Sequence, residues 1–333
     1  MITCKIKMGG LRDYIIRRIM SSIPTLFGIS ILTFTIIHLA PGGPLRFSLA
    51  LQGDIPVEYL LEIERRLGLD KPIWMQYVIW LKNILTGNLG TSYIKEVPVI
   101  NLISLYSWNT IKLMFSAQVL ALIIAVPLGI ISAIKQDSIV DNVSRFVSLF
   151  GVSLPTFWTG LMLIFLISVK LDLLPVFGSH TIGAIYSSPI EAFLDQASHM
   201  VLPVTVLAFS SAALITRLVR SSMLEVLRQD YIMTARAKGL RENIVVYKHA
   251  LRNALLPVVT VTGMSMGFLL AGATVTETVF AWPGLGRFVV QCTFNRDYPA
   301  IMAITMIVAL MVVLSNLITD LTYGFLDPRI RYE

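Results

Sequence analysis

The sequence predicts an all-α membrane protein with six transmembrane helices. Three observations predict it. Only 14% of the 333 residues are charged while 55% are hydrophobic, whereas soluble domains carry about a quarter of their residues as charges. The apolar residues run in uninterrupted blocks rather than alternating, and six blocks reach the roughly 17–25 residues that cross the hydrocarbon of a bilayer as a helix. The basic residues between the blocks are unevenly shared, which fixes the side of the membrane for each connection.

Residues 1–18 form an N-terminal tail with Lys5, Lys7, Arg12, Arg17 and Arg18, and so face the cytoplasm. The first span, Ile19–Leu39, is longer than the apolar core of a secretion signal, and the small-residue exit His38-Leu39-Ala40 runs into Pro41. It is therefore read as a retained span. Residues 40–107 form an extracytoplasmic helical insert. In it, Pro56–Leu67 reads as an amphipathic helix closed by Gly68. A second, capped near Asp70 and Pro72, carries Trp74, Tyr77, Val78, Leu81, Ile84 and Leu85 and stops near Gly87. Two readings stay open for these helices: packing on span ends or the interface, or docking of an external partner through Trp74, Tyr77 and Leu81.

Residues 108–333 hold five further spans: Leu113–Ile134, Phe146–Val169, Met200–Leu218, Leu255–Val279 and Ala300–Ile318. Pro155 and Pro203 lie inside two of them, either as kinks or as prolines tolerated by neighbouring helices. The connections after the third and fifth spans carry Lys170, and Arg287 with Arg296. These sparse connections lie outside, so both termini are cytoplasmic in a multi-pass protein of the cell membrane, in contact with membrane lipid. Cys4 and Cys292 then fall on opposite sides and form neither a disulfide nor a metal framework. The net charge of +7 is a topology signal and not a nucleic-acid footprint.

The fourth-to-fifth connection, residues 217–253, carries eleven charges, eight of them basic. At about +2.5 kcal/mol or more per charge at a helix centre, it stays out of the membrane. It is also ordered in pattern. Asp230 can cap a helix over Tyr231–Lys238, and Gly239 supplies a left-handed stop. A second helix follows with Ile244, Tyr247, Leu251 and Leu255 on one face, ending before Pro257. One reading is a rigid cytoplasmic lever, with Ala235 and Ala237 admitting another surface and Arg236 and Lys238 meeting an acidic rim. The other is a compact basic loop.

Chemistry is sparse. No Gly-x-x-x-x-Gly-Lys-Ser/Thr loop is present, and Gly284-Leu285-Gly286 lacks a third glycine at Val289 and follows no strand. His38, His180, His199 and His249 are scattered and form no His-Glu-x-x-His pair. No catalytic, cofactor or metal site is expected, and no enzyme. Glu277, near the end of the fifth span, can line a route, receive a peptide amino group, or pair with Arg287 across the Trp282-Pro283 turn. The pair with Arg287 is the expectation. Asn316 and Asp320 share a helix face. Gly263, Gly267 and Ala271 repeat every four residues and let another helix approach.

The run from Asp230 through Tyr231, Ile232, Met233, Thr234, Ala235, Arg236, Ala237, Lys238 and Gly239 to Leu240, continued by His249-Ala250-Leu251-Arg252-Asn253-Ala254-Leu255-Leu256-Pro257, resembles the coupling motif of binding-protein-dependent importer permeases. It is most similar to the version in B-type subunits of the dipeptide/oligopeptide permease family. The resemblance extends through Leu39-Ala40-Pro41-Gly42, Leu67-Gly68-Leu69-Asp70-Lys71-Pro72, Gly87-Asn88-Leu89-Gly90-Thr91-Ser92, the block Glu277-Thr278-Val279-Phe280-Ala281-Trp282-Pro283-Gly284-Leu285-Gly286, and Asp327-Pro328-Arg329. Two departures stand out. Met233-Thr234-Ala235 replaces the generic Glu-Ala-Ala, and Arg252 replaces the generic proline beyond Gly239.

The resemblance implies a type I ABC importer permease fold, and a five-part assembly. This chain would pair with a second homologous permease subunit. Two cytoplasmic ATPase subunits would receive the coupling helices through Tyr231, Thr234, Ala235, Arg236, Ala237, Lys238 and Gly239, and an extracytoplasmic substrate-binding protein would deliver short peptides. ATP binding would close the ATPases and open the spans outward, and hydrolysis would reset them. Oligosaccharides and nickel complexes are alternative substrates within that branch. An ion-driven secondary transporter is the alternative of another class, opposed by the near absence of charges in mid-span.

Overall fold

The computed structural model describes residues 11–39, 65, 68, 70–267 and 273–326. Its helices are α1 (Leu11–Leu39), α2 (Ile73–Leu85), α3 (Val99–Ile134), α4 (Ile139–Ser153), α5 (Thr156–Leu163, continued by a π-helical stretch Ile164–Lys170), α6 (Pro189–Leu227), α7 (Asp230–Ala237), α8 (Glu242–Ile244, continued by a π-helical stretch Val245–Ala250), α9 (Leu251–Ala254), α10 (Leu256–Gly267), α11 (Thr274–Val279), α12 (Leu285–Phe294) and α13 (Tyr298–Leu326). Among the described residues, four helices are long and apolar enough to cross a membrane: within α1, and α3, α6 and the start of α13. There are six crossings if each of two bent pairs is one span.

One of the bent pairs corrects a sequence expectation, and the other falls where the sequence ends the second cytoplasmic helix. Phe146–Val169 is not one straight span: α4 and α5 meet at 103°. Leu154 lies at ψ 130°, the extended conformation that a following proline imposes, and Pro155 stands as the N-cap of α5. Pro203, in contrast, sits buried inside continuous α6. The segment leading into the fifth span bends by 44° at Leu255, between α9 and α10, just ahead of Pro257. The remainder of that block is a separate helix, α11, and residues 268–272 lie outside the described residues.

The chain divides into two compact units, one of residues 1–108 with 288–333 and the other of residues 109–287. In the first, α1 packs on α13 and α2 through Phe34, Ile37, Tyr298 and Met302, with Tyr77, Trp80 and Ile301 against them. The Tyr77 hydroxyl lies 2.7 Å from Ser30 Oγ, and its ring meets Phe34 edge-on at 5.3 Å. Trp74 remains 63% exposed. The face expected to act as one surface is therefore split, with Tyr77 turned onto α1 and Trp74 turned away. Asp70 does not cap α2: Pro72 occupies the N-cap, without a side-chain cap. The loop after α2 is pinned by buried Asp297, which accepts from Ser92 Oγ and, at 3.1 Å, from the Tyr93 N–H. The helix expected over Pro56–Leu67 lies almost wholly outside the described residues.

In the second unit, α3 and α6 meet along a seam of small residues, with Ala121 and Ala125 on one helix and Ala208 and Ala212 on the other. Small side chains let backbones approach where lipid removes the hydrophobic incentive to associate. The start of α6 is tied by two side-chain bonds: the N-cap Ser188 Oγ accepts from the Glu191 N–H at 3.3 Å, Glu191 Oε2 accepts from the Ser187 N–H, one residue before the cap, at 2.8 Å, and Pro189 takes the first turn. At the far end of α6 the seam continues through Ile215, Val219 and Met223 into Ile232, Ala235, Val245 and Val246. The lever segment is thus built into this core.

Candidate functional site

The segment after α6 folds into a closed bracket. α7 starts at Asp230 with Gln229 in the N-cap position and no side-chain cap, so Asp230 acts as a first-turn acid that favours the helix dipole. Its C-terminus is a Schellman motif: the Leu240 N–H donates to Ala235 O at 3.4 Å and the Gly239 N–H to Arg236 O at 2.9 Å. Gly239 has φ +78°, which glycine alone adopts without penalty. Arg236 then bridges the turn, with Nη2 2.6 Å from Glu242 Oε1, and Asn253 Nδ2 donates to Tyr231 Oη at 2.7 Å.

Burial sorts the predicted coupling residues. Tyr231, Thr234, Arg236, Ala237, Lys238 and Gly239 are exposed, together with Met233. Ala235 is not: it is 8% exposed and lies with fully buried Ile232 in the chain's own core. Its small side chain admits the rest of this chain, and not an outside surface. Ala237 and Met233 hold the outward positions instead. The second helix is also corrected. Of the expected face, Ile244 and Tyr247 are exposed and Leu251 and Leu255 are partly buried against the core, while Val245, Val246, Ala250 and Ala254 are buried. The π-helical stretch Val245–Ala250 adds residues per turn and rotates the buried stripe relative to a 3.6-residue period.

Glu277 is fully buried at a corner between α11 and α12. Its Oε1 accepts from Thr110 Oγ1 at 2.8 Å and its Oε2 from the Arg287 N–H at 2.9 Å, while the Leu285 N–H donates to Thr110 Oγ1 at 2.7 Å. A carboxylate thus meets the N-terminal turn of α12, where unpaired N–H groups and the helix dipole favour an anion. A Cβ on Gly284 would overlap this carboxyl group, which accounts for glycine there. The expected Arg287 pairing is made by its backbone; the guanidinium donates to Ala281 O instead. Glu277 is thus enclosed by groups of this corner. Gly263 is half-buried in α10 and Gly267 ends that helix, while Ala271 lies outside the described residues.

Sequence reasoning missed Asp141 and counted Arg220 only as a topology charge. Asp141 is fully buried and takes both Nε and Nη2 of Arg220, at 2.6 and 2.8 Å. The signal for Asp141 was Ser138 three residues before it, a helix-start pattern in which Ser138 Oγ accepts from the Asp141 N–H. The partner 79 positions away had no local signal.

Two family models match this chain. The binding-protein-dependent transport system inner membrane component covers residues 125–332, and the N-terminal component of such membrane proteins covers residues 11–113. The chain is 43% identical over 332 residues to the dipeptide transport system permease protein DppB of Alkalihalophilus pseudofirmus, covering 96% of this chain and 99% of that one. It is 44% identical over 320 residues, with the same coverage, to the oligopeptide transport system permease protein AppB of Bacillus subtilis. Among solved structures, an inward-facing crystal form of the MetNI methionine ABC transporter matches with a TM-score of 0.52 at 19% identity, covering 68% of this chain and 97% of that one. That likeness is one of fold.

Proposed function

Since the chain belongs to the family of binding-protein-dependent transport system inner membrane components, we propose that it is a membrane-spanning permease subunit of an ATP-driven importer of short peptides. Near-full-length similarity to permeases named for dipeptides and oligopeptides favours peptides over oligosaccharides or nickel complexes. The observation that carries the coupling role is α7: a short helix closed by the turn at Gly239, anchored by Ile232 and Ala235, with Met233, Thr234, Ala237 and Lys238 outward. Such a helix transmits a push because its inner face is part of the core it must move.

In this reading a second homologous permease subunit completes the pathway, and two cytoplasmic ATPases seat one α7-type helix each. An extracytoplasmic substrate-binding protein delivers peptide, and both termini of this chain lie in the cytoplasm. ATP acts by favouring the arrangement of the coupling segments that matches the closed ATPase pair. Co-expression with the neighbouring genes tests the assembly: ATPase subunits should purify with this chain in stoichiometric amount. Their absence from a correctly inserted chain would remove the reading.

A further inference from the structure

We infer that Asp141 and Arg220 are positioning residues: a two-pronged ion pair that makes the cytoplasmic ends of α3 and α4 move as one body with α6 and the coupling helix α7. The inference rests on the importer reading above and adds to it a specific joint. Asp141 stands in the first turn of α4. Its two oxygens accept four donors: Arg220 Nε at 2.6 Å and Nη2 at 2.8 Å, Ser132 Oγ, and the Asp137 N–H at 3.0 Å. A carboxylate has about four acceptor positions, so this one is saturated. Arg145, one turn along α4, adds a contact at 3.5 Å to Oδ2 and donates to Asn142 Oδ1 at 2.5 Å.

The donors come from different elements. Ser132 lies in the last turn of α3, Asp137 in the tight connection to α4, and Arg220 near the end of α6. Arg220 is flanked on α6 by fully buried Val219 and by Met223, which enter the same core as Ile232 and Ala235 of α7. A displacement of α7 therefore reaches α6 through shared packing. It reaches α4 both through direct packing, where Gly151 lies against Ala213 and Phe209 of α6, and through the Asp141 carboxylate, whose guanidinium partner is 79 positions away in sequence and sets the angle between the helices. The fork geometry fixes orientation as well as distance, and an ammonium in its place supplies a point charge without that constraint. Breaking one side alone leaves a buried charge without its partner, so the test needs variants that keep the fold.

Spin labels on Ile139→Cys, at a position 81% exposed, and on Gln229→Cys, exposed at the N-cap of α7 and outside its docking face, report the distance from α4 to α7 in the assembled transporter, with Cys4 and Cys292 replaced by alanine. With the native pair, that distance should be the same without nucleotide and with ATP trapped by vanadate. In Arg220→Lys it should broaden and differ between the two states, and peptide transported per ATP hydrolysed should fall by roughly fivefold or more. The double variant Asp141→Leu/Arg220→Met keeps bulk without the fork, and should keep assembly while showing the same loss. A distance that changes between states with the native pair present overturns the inference, as does a native transport-to-hydrolysis ratio in either variant. Failure of the importer reading shows elsewhere, as unmodified chain purified without ATPase subunits.

Discussion

At the scale of single residues, the corner at Glu277 separates a structural carboxylate from one that handles substrate. Its oxygens accept from Thr110 and the Arg287 amide. Glutamine keeps the size but turns one acceptor into a donor, facing one of these donors with another. Leaving a buried donor unpaired costs about 1–3 kcal/mol. Glu277→Gln is therefore expected to lower the thermal midpoint of the detergent-solubilised protein while leaving the uptake KM for peptide unchanged. A several-fold rise in KM at an unchanged midpoint would return Glu277 to the pathway. Cys292 illustrates the same point for reactivity. It is 2% exposed, and burial, with the Asp297 carboxylate nearby, pushes its thiol up to about 12. Little thiolate is present at neutral pH, so Cys292 should resist maleimide in the folded protein.

At the scale of elements, Ala235 and Ala237 of α7 test opposite faces of one helix. Ala235→Trp forces bulk into the core with Ile232, Val245 and Val246. Overpacking typically costs about 1–3 kcal/mol, so the isolated chain should lose thermal stability before any partner is present. Ala237→Trp points outward, and should leave that stability unchanged while abolishing recovery of ATPase subunits. Normal recovery with Ala237→Trp would mean that this face of α7 is not the docking face. The contrast also marks how far sequence reaches. The helix, its left-handed stop at Gly239 and the long apolar blocks were legible because capping, glycine stops and hydrophobic length are local signals. Which alanine faces in was not, because it depends on Val245 and Val246 arriving from the next element. A π-helical stretch then moved the buried stripe off the 3.6-residue period and onto Val246, Ala250 and Ala254. Pro155 was visible, but whether it kinks or breaks a helix depends on Leu154 going extended, as Pro203 inside continuous α6 shows by contrast. Asp141–Arg220 was invisible as a pair for the same non-local reason.

At the scale of the whole molecule, the basic-residue bias makes a directional prediction. Ile182, wholly exposed in the connection before α6, should face outside, and Met233 on α7 should face the cytoplasm. In cells that express this chain without its ATPase partners, an impermeant maleimide is expected to label Ile182→Cys while the cells are intact, and Met233→Cys only after permeabilisation; the reverse pattern would invert the chain. The central claim is that this fold moves peptide by ATP-driven motion of α7. Uptake of a labelled dipeptide into vesicles containing the assembled complex tests it most directly, with its binding protein on the outside and ATP sealed within. Uptake should require both ATP and the binding protein, and should collapse with Ala237→Trp. Uptake that proceeds without ATP on an imposed ion gradient would contradict the account.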